Sequence, residues 1–199
     1  MPRKKETEAA ELAAEETKKE PEKAPEEEIA KKGYELILTE KPQAAMKIAD
    51  ALGDAEKKSI NGVPYYELRH ENRDIVVACA VGHLFGLTSA EKGWPIFNVE
   101  WQANYKFRKK GDFTKKYYST IAQLSKNAKS FVIATDYDIE GELIGYNVLR
   151  SIFKQEDAKR MKFSTLTKPD IVSAYQNMSP TIEWGLAISG ETRHMLDWF

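Results

Sequence analysis

One cysteine, Cys79, is present in 199 residues. That excludes a disulfide framework and a cysteine-rich zinc site within the chain. Cys79 falls inside an apolar, strand-like run, which makes it a core thiol. Long apolar runs are missing as well. No stretch is long enough to cross a bilayer, and none has the make-up of a secretory signal. The expectation is a soluble cytoplasmic protein without membrane contact. An excess of one charge is also absent. Thirty basic and 31 acidic side chains leave a formal net charge of −1. Bulk electrostatics therefore do not announce a nucleic-acid partner.

Residues 1–32 lack aromatics, and carry ten acids and eight bases. Such a segment buries too little apolar surface to offset its ordering entropy. A disordered charged tail is expected, with Pro21 and Pro25 interrupting any helix in the Ala/Glu/Lys-rich stretch before them. The globular part begins near Gly33. Residues 34–39 read as a first strand. Pro42 opens a helix that turns Ala45, Ile48, Ala49 and Leu52 to one face and stops at Gly53. Further strands are expected at 63–69, 74–80, 130–135 and 160–166, and helices at 115–127 and 139–153. Gly82, Gly86 and Gly93 break up an irregular segment reaching to about 110. Thr167-Lys-Pro-Asp170 reads as a capping box opening a helix to about 177, and Ser179-Pro180 as the start of another. Strands alternating with helices imply an α/β fold, a Rossmann-like, mainly parallel sheet flanked by helices.

Chemistry concentrates at Asp136-Tyr-Asp-Ile-Glu-Gly-Glu142. Four carboxylates fall within these seven residues, where a buried strand turns into a helix. Ligands of open α/β sheets bind at such strand ends. Asp136 and Asp138 can aim oxygens at one hard cation of the Mg²⁺ type. A solvated turn with helix-starting acids is the other reading, and it suffices for Glu140 and Glu142 taken alone. Glu40 repeats the logic at the end of the first strand, and would share an edge with Asp136 and Asp138. There it is either a general acid or base or a helix-starting acid. Lys41 can meet a phosphate or stay a surface lysine. His83, after Gly82, can bond phosphate or satisfy a turn. The segment from Trp94 through Trp101 to Tyr105, Phe107, Arg108, Lys109 and Lys110 interleaves aromatics with bases. It suits single-stranded nucleic acid or a hydrophobic flap.

Six stretches, in one order, resemble the N-terminal part of type IA DNA topoisomerases. They are Glu40-Lys-Pro42, Gly82-His-Leu84, the 94–101 segment, the acidic septet, Lys162-Phe-Ser-Thr-Leu-Thr167 and Arg193-His-Met-Leu-Asp-Trp198. The septet looks most like the archaeal enzymes. The resemblance implies a Toprim domain at 33–177 and, at 178–199, the start of a helical domain that grips DNA. It implies relaxation of negatively supercoiled DNA without ATP, by cleaving, passing and rejoining single strands. Asp136, Asp138 and Glu140 match the family's Mg²⁺-binding acids. Glu40 matches its acid/base glutamate. Lys41 and His83 match residues near the scissile phosphate, and Arg193 an arginine in the DNA-gripping helix. Many bacterial members have Pro and Arg where Tyr137 and Ile139 stand here, so any phosphate contact made by that Arg must come from a nearby base here or be missing.

The implied partners are single-stranded segments of DNA and the rest of a topoisomerase chain, in a monomer associated with the nucleoid. The family's nucleophilic tyrosine lies in a later domain. None of the nine tyrosines here sits in that motif, so no nucleophile is assigned. The chain is expected to be inactive alone, as a fragment or one half of a split enzyme. A stand-alone Toprim nuclease or primase-like protein is an alternative, as is a non-catalytic nucleic-acid-binding module.

Overall fold

The computed structural model describes residues 33–108 and 112–199. The charged tail, Lys109 and Lys110 lie outside the described residues. Strand β1 (Tyr34–Thr39) is buried along its whole length. A run without polar alternation suits a central strand covered on both faces. It pairs in parallel with β4 (Arg73–Cys79) on one side and β7 (Ala128–Ile133) on the other. Strand β3 (Val63–His70) pairs antiparallel with β4, and β2 (Glu56–Ile60) antiparallel with β3. The two-residue β8 (Lys159–Arg160) adds in parallel to β7. The order is β2-β3-β4-β1-β7-β8. Strands β5 (Phe85–Thr88) and β6 (Glu100–Ala103) form a separate two-stranded sheet.

Successive side chains of β1 face opposite ways and so feed two cores. Ile37 packs with Ile48 of α1 (Pro42–Leu52) and Ile171 of α5 (Lys168–Gln176). Leu36 and Leu38 pack with Ile121 of α3 (Asp112–Ser125) and Ile144 of α4 (Ile139–Val148). A short helix α2 (Asn104–Phe107) precedes α3, and α6 (Trp184–Trp198) lies against α4. The contact is close: a Cβ on Gly190 would stand 2.9 Å from the Ile139 carbonyl oxygen. Among the described residues no helix is long and apolar enough to cross a membrane.

The expected α/β architecture is present, with five corrections. Strand β2 was not expected; it is polar and sits on the sheet edge, reached through an Asn61-Gly62 turn with φ of 55° and 77°. The strand expected at 160–166 stops at Arg160. Beyond it the Thr135 and Asp136 carbonyls accept from the Arg160 guanidinium rather than from a ladder amide. No capping box forms at Thr167, whose side chain makes no cap bond. Asp170 instead accepts from the Ser164 and Thr165 amides at 3.1 and 2.6 Å. Ser179-Pro180 does not start a helix either. Ser179 exchanges two backbone bonds with Arg160, and α6 begins only at Trp184. The helix expected over 139–153 is α-helical to Val148 and then widens into a π-helical turn, Leu149–Phe153.

Candidate active site

Because β1, β4 and β7 run in parallel, their C-terminal ends open on one edge. Glu40 and Lys41 follow β1 there, His83 follows β4, and the acidic septet follows β7. Lys41 Nζ donates to Asp136 Oδ2 at 2.5 Å and lies 3.8 Å from Glu40 Oε1. Glu40 is mostly buried, with 17% of its side chain exposed. Burial, with the charges of Asp136 and Asp138, holds its carboxyl above the usual range against the pull of Lys41. A shift in that direction is the one that suits a general acid.

Asp138 caps α4. Its backbone is extended, and Oδ1 accepts from the Gly141 amide at 2.7 Å. Gly141 is required by the tightness of this turn: a Cβ there would meet the Asp136 carbonyl oxygen at 2.2 Å. Glu140 points to another set of partners. Its Oε2 accepts from His83 Nε2 and His194 Nε2, each at 3.0 Å, and Arg193 Nη1 lies 3.7 Å from Oε1. Burial disfavours ionised Glu140, but the bonds and charges of His194 and His83 outweigh it and lower its pKa. Burial also lowers the His83 pKa, against the attraction of Glu140. The loop bearing His83 is fixed by backbone. The Gly82 amide donates to the Glu40 carbonyl at 3.2 Å, and Asn104 Nδ2 donates to the His83 carbonyl at 2.8 Å.

Glu142 is not a solvated acid. It and Arg160 are fully buried, and Arg160 Nε donates to Glu142 Oε2 at 2.8 Å. The remaining guanidinium hydrogens reach the carbonyls of Ile133, Thr135, Asp136 and Met161. Glu142 Oε1 accepts from the Glu183 amide at 2.9 Å. This one ion pair thus clamps the end of β7, the turn carrying Asp136, and the entry to α6. In the aromatic segment, Trp94 and Phe97 are exposed, while Trp101 packs against His194 and Arg150.

Could these residues hold Mg²⁺? Asp136 and Asp138 stand close enough to Glu40 to raise its pKa, so the edge concentrates negative charge that a cation would relieve. Among the described residues, no three acids bring ligand oxygens within 4.8 Å of one another. That is no obstacle, since Mg²⁺ takes one or two carboxylates and keeps several waters. The donor set fits.

Residues 35–166 match the model of the Toprim domain. The chain belongs to the Toprim family. This Toprim chain is 50% identical over 168 residues to DNA topoisomerase 1 of Methanocaldococcus jannaschii, covering 82% of its own length and 22% of the relative's. Against DNA topoisomerase 1 of Pyrococcus horikoshii it is 45% identical over 170 residues, covering 82% and 25%. The fold also matches full-length topoisomerase I from Thermotoga maritima, with a TM-score of 0.58 at 24% identity over 82% of this chain and 24% of that one. The chain spans about a quarter or less of the length of these curated relatives. It is the Toprim portion of a type IA topoisomerase homologue.

All the residues expected to act lie on or beside one sheet edge, in two groups. Glu40, Lys41, Asp136 and Asp138 form one; Glu140, His83 and Arg193 the other. Sequence reasoning missed His194, although it stands next to Arg193, and missed Arg160, for which no local pattern exists.

Proposed function

We propose that this chain supplies the cation-binding and acid/base half of a type IA topoisomerase centre, which relaxes negatively supercoiled DNA without ATP. The observation carrying the reading is the shared edge, where a half-buried Glu40, its pKa raised by burial and by the neighbouring carboxylates, faces Asp136 and Asp138. Asp136 and Asp138, with Glu140 beside them, would hold Mg²⁺, which when bound neutralises charge on a DNA phosphate. Lys41 offers an ammonium to the same phosphate, on a side chain 60% exposed and free to swing from Asp136. Glu40 gives its proton to the departing 3′-oxygen on cleavage and takes it back on rejoining. His83 orients Glu140, and Arg193 holds the DNA backbone. The attacking tyrosine comes from outside residues 1–199, and residues 178–199 begin the domain that grips the strand. The setting is the cytoplasm, on nucleoid DNA.

A chimera tests this. Residues 33–199 replace the matching region of the Methanocaldococcus jannaschii enzyme. The expected result is Mg²⁺-dependent relaxation of supercoiled plasmid, lost on Asp136→Asn with Asp138→Asn. A folded chimera that binds DNA but never forms a covalent adduct would overturn the proposal. So would a covalent adduct between single-stranded DNA and the 199-residue chain alone.

A further inference from the structure

Beside the carboxylate edge, three side chains converge from three separate elements. His83 comes from the loop after β4, Glu140 from the first turn of α4, and His194 from α6. Each imidazole places Nε2 3.0 Å from the same oxygen, Glu140 Oε2. One ligand atom from each residue lies within 4.8 Å of the other two, and no other such set occurs among the described residues. We infer that His83, Glu140 and His194 form a binding site for one zinc-class divalent cation, which ties α6 to the body of the Toprim domain.

The site shares Glu140 with the carboxylate edge, and its two imidazoles give it a different donor chemistry. Two imidazole nitrogens and one carboxylate oxygen are the ligand set of open zinc sites, where water takes the fourth place. Imidazole suits zinc, copper, iron and nickel, whereas carboxylate and water suit magnesium. Spacing agrees as well. Bonds of about 2.0–2.2 Å to one cation put neighbouring donors roughly 3 Å apart. The nitrogen-to-oxygen distances are already 3.0 Å, so small ring rotations suffice. The ligands are held before any cation arrives: Asn104 fixes the His83 backbone, and the Trp101 ring stands 5.6 Å from that of His194. They are also reachable, with 29%, 40% and 32% of the His83, Glu140 and His194 side chains exposed.

Two features weaken the site. Arg193 brings a positive charge to Glu140, but to Oε1 rather than Oε2, and its side chain is 61% exposed. His83 Nδ1 is buried with no hydrogen-bond partner among the described residues. A missing outer partner costs about 10–100-fold in affinity. The affinity should therefore fall below that of a closed structural zinc site.

The intact chain tests the inference, with Co²⁺ and Zn²⁺ as probes. It has three histidines, and the third, His70, bonds the Leu52 carbonyl elsewhere. Stoichiometric Co²⁺ should produce visible d–d absorption that Zn²⁺ bleaches and millimolar Mg²⁺ does not. His194→Gln should lower Zn²⁺ affinity by more than the roughly 10–100-fold of an outer-shell loss, with His70→Gln unchanged and circular dichroism confirming the fold. In the unmutated chain, Zn²⁺ should shift the imidazole resonances of His83 and His194 and spare His70. No Co²⁺ absorption, absorption that survives both His194→Gln and His83→Gln, or a shift confined to His70 would each overturn the inference. None of these readouts needs topoisomerase activity.

Discussion

Arg160→Met removes the clamp behind the acidic turn. Glu142 then keeps the Glu183 amide but loses its cationic partner Arg160 in a fully buried place. The Thr135, Asp136 and Met161 carbonyls lose a donor, while Ile133 keeps the Met161 amide. Breaking one side of a buried ion pair costs about 3–5 kcal/mol, because the surviving charge stays desolvated. A domain of this size has a total stability of only about 5–15 kcal/mol. At about 2–4 °C per kcal/mol, melting should fall by roughly 6–20 °C. Thermal unfolding followed by circular dichroism measures this directly. Glu142→Leu in the Arg160→Met background removes the stranded charge, so the double substitution should cost clearly less than the two single ones together. A loss below about 1 kcal/mol for Arg160→Met, the range of a surface pair, would refute the clamp. Strict additivity of the two substitutions would refute the coupling.

Glu40→Gln should stabilise the fold at neutral pH. A carboxyl pKa raised by folding means that the folded chain keeps a proton the unfolded chain releases. The cost is absent below the unfolded value of about 4.3, grows as pH rises, and is full above the folded value. The gain in melting temperature should therefore vanish in acid, and a gain independent of pH would contradict the assignment. Asp138→Asn and Asp138→Ala should part company. Asparagine still caps α4 through the Gly141 amide, whereas alanine forfeits about 1 kcal/mol. Calorimetry should show Mg²⁺ binding weakened in both, and equal stabilities would show that the cap contributes nothing.

Much of the site was legible because it depends on strand ends. The apolar runs at 34–39 and 130–135 identify buried parallel strands, and parallel strands put their C-terminal acids on one edge. That reasoning brought Glu40, Asp136 and Asp138 together without coordinates. Strand β2 escaped because its residues are polar, yet Asn61-Gly62 was a readable hairpin signal between 56–60 and 63–70. The false strand at 160–166 had a different origin. Its alternation was real, but beyond Ile133 the β7-end carbonyls bond a guanidinium rather than a neighbouring strand's amides. Tertiary competition for backbone acceptors leaves no trace in local sequence.

Glu140 and Glu142 show the same limit at the level of single side chains. Two residues apart in the first turn of α4, both read as ordinary helix-starting acids. Their fates differ because a helix turns by about 100° per residue, which swings positions i and i+2 to opposite sides. Glu142 therefore enters the core beneath β7 and meets Arg160, while Glu140 faces α6 and the loop after β4. Helical geometry predicts that divergence, but the partner waiting on each side comes from chain 18 or more residues away. Arg160 is 18 residues from Glu142, and His194 is 54 from Glu140. The acid whose partners are imidazoles is the one that can share a cation with them; the acid paired with a guanidinium cannot, because arginine keeps its charge at any pH the fold survives.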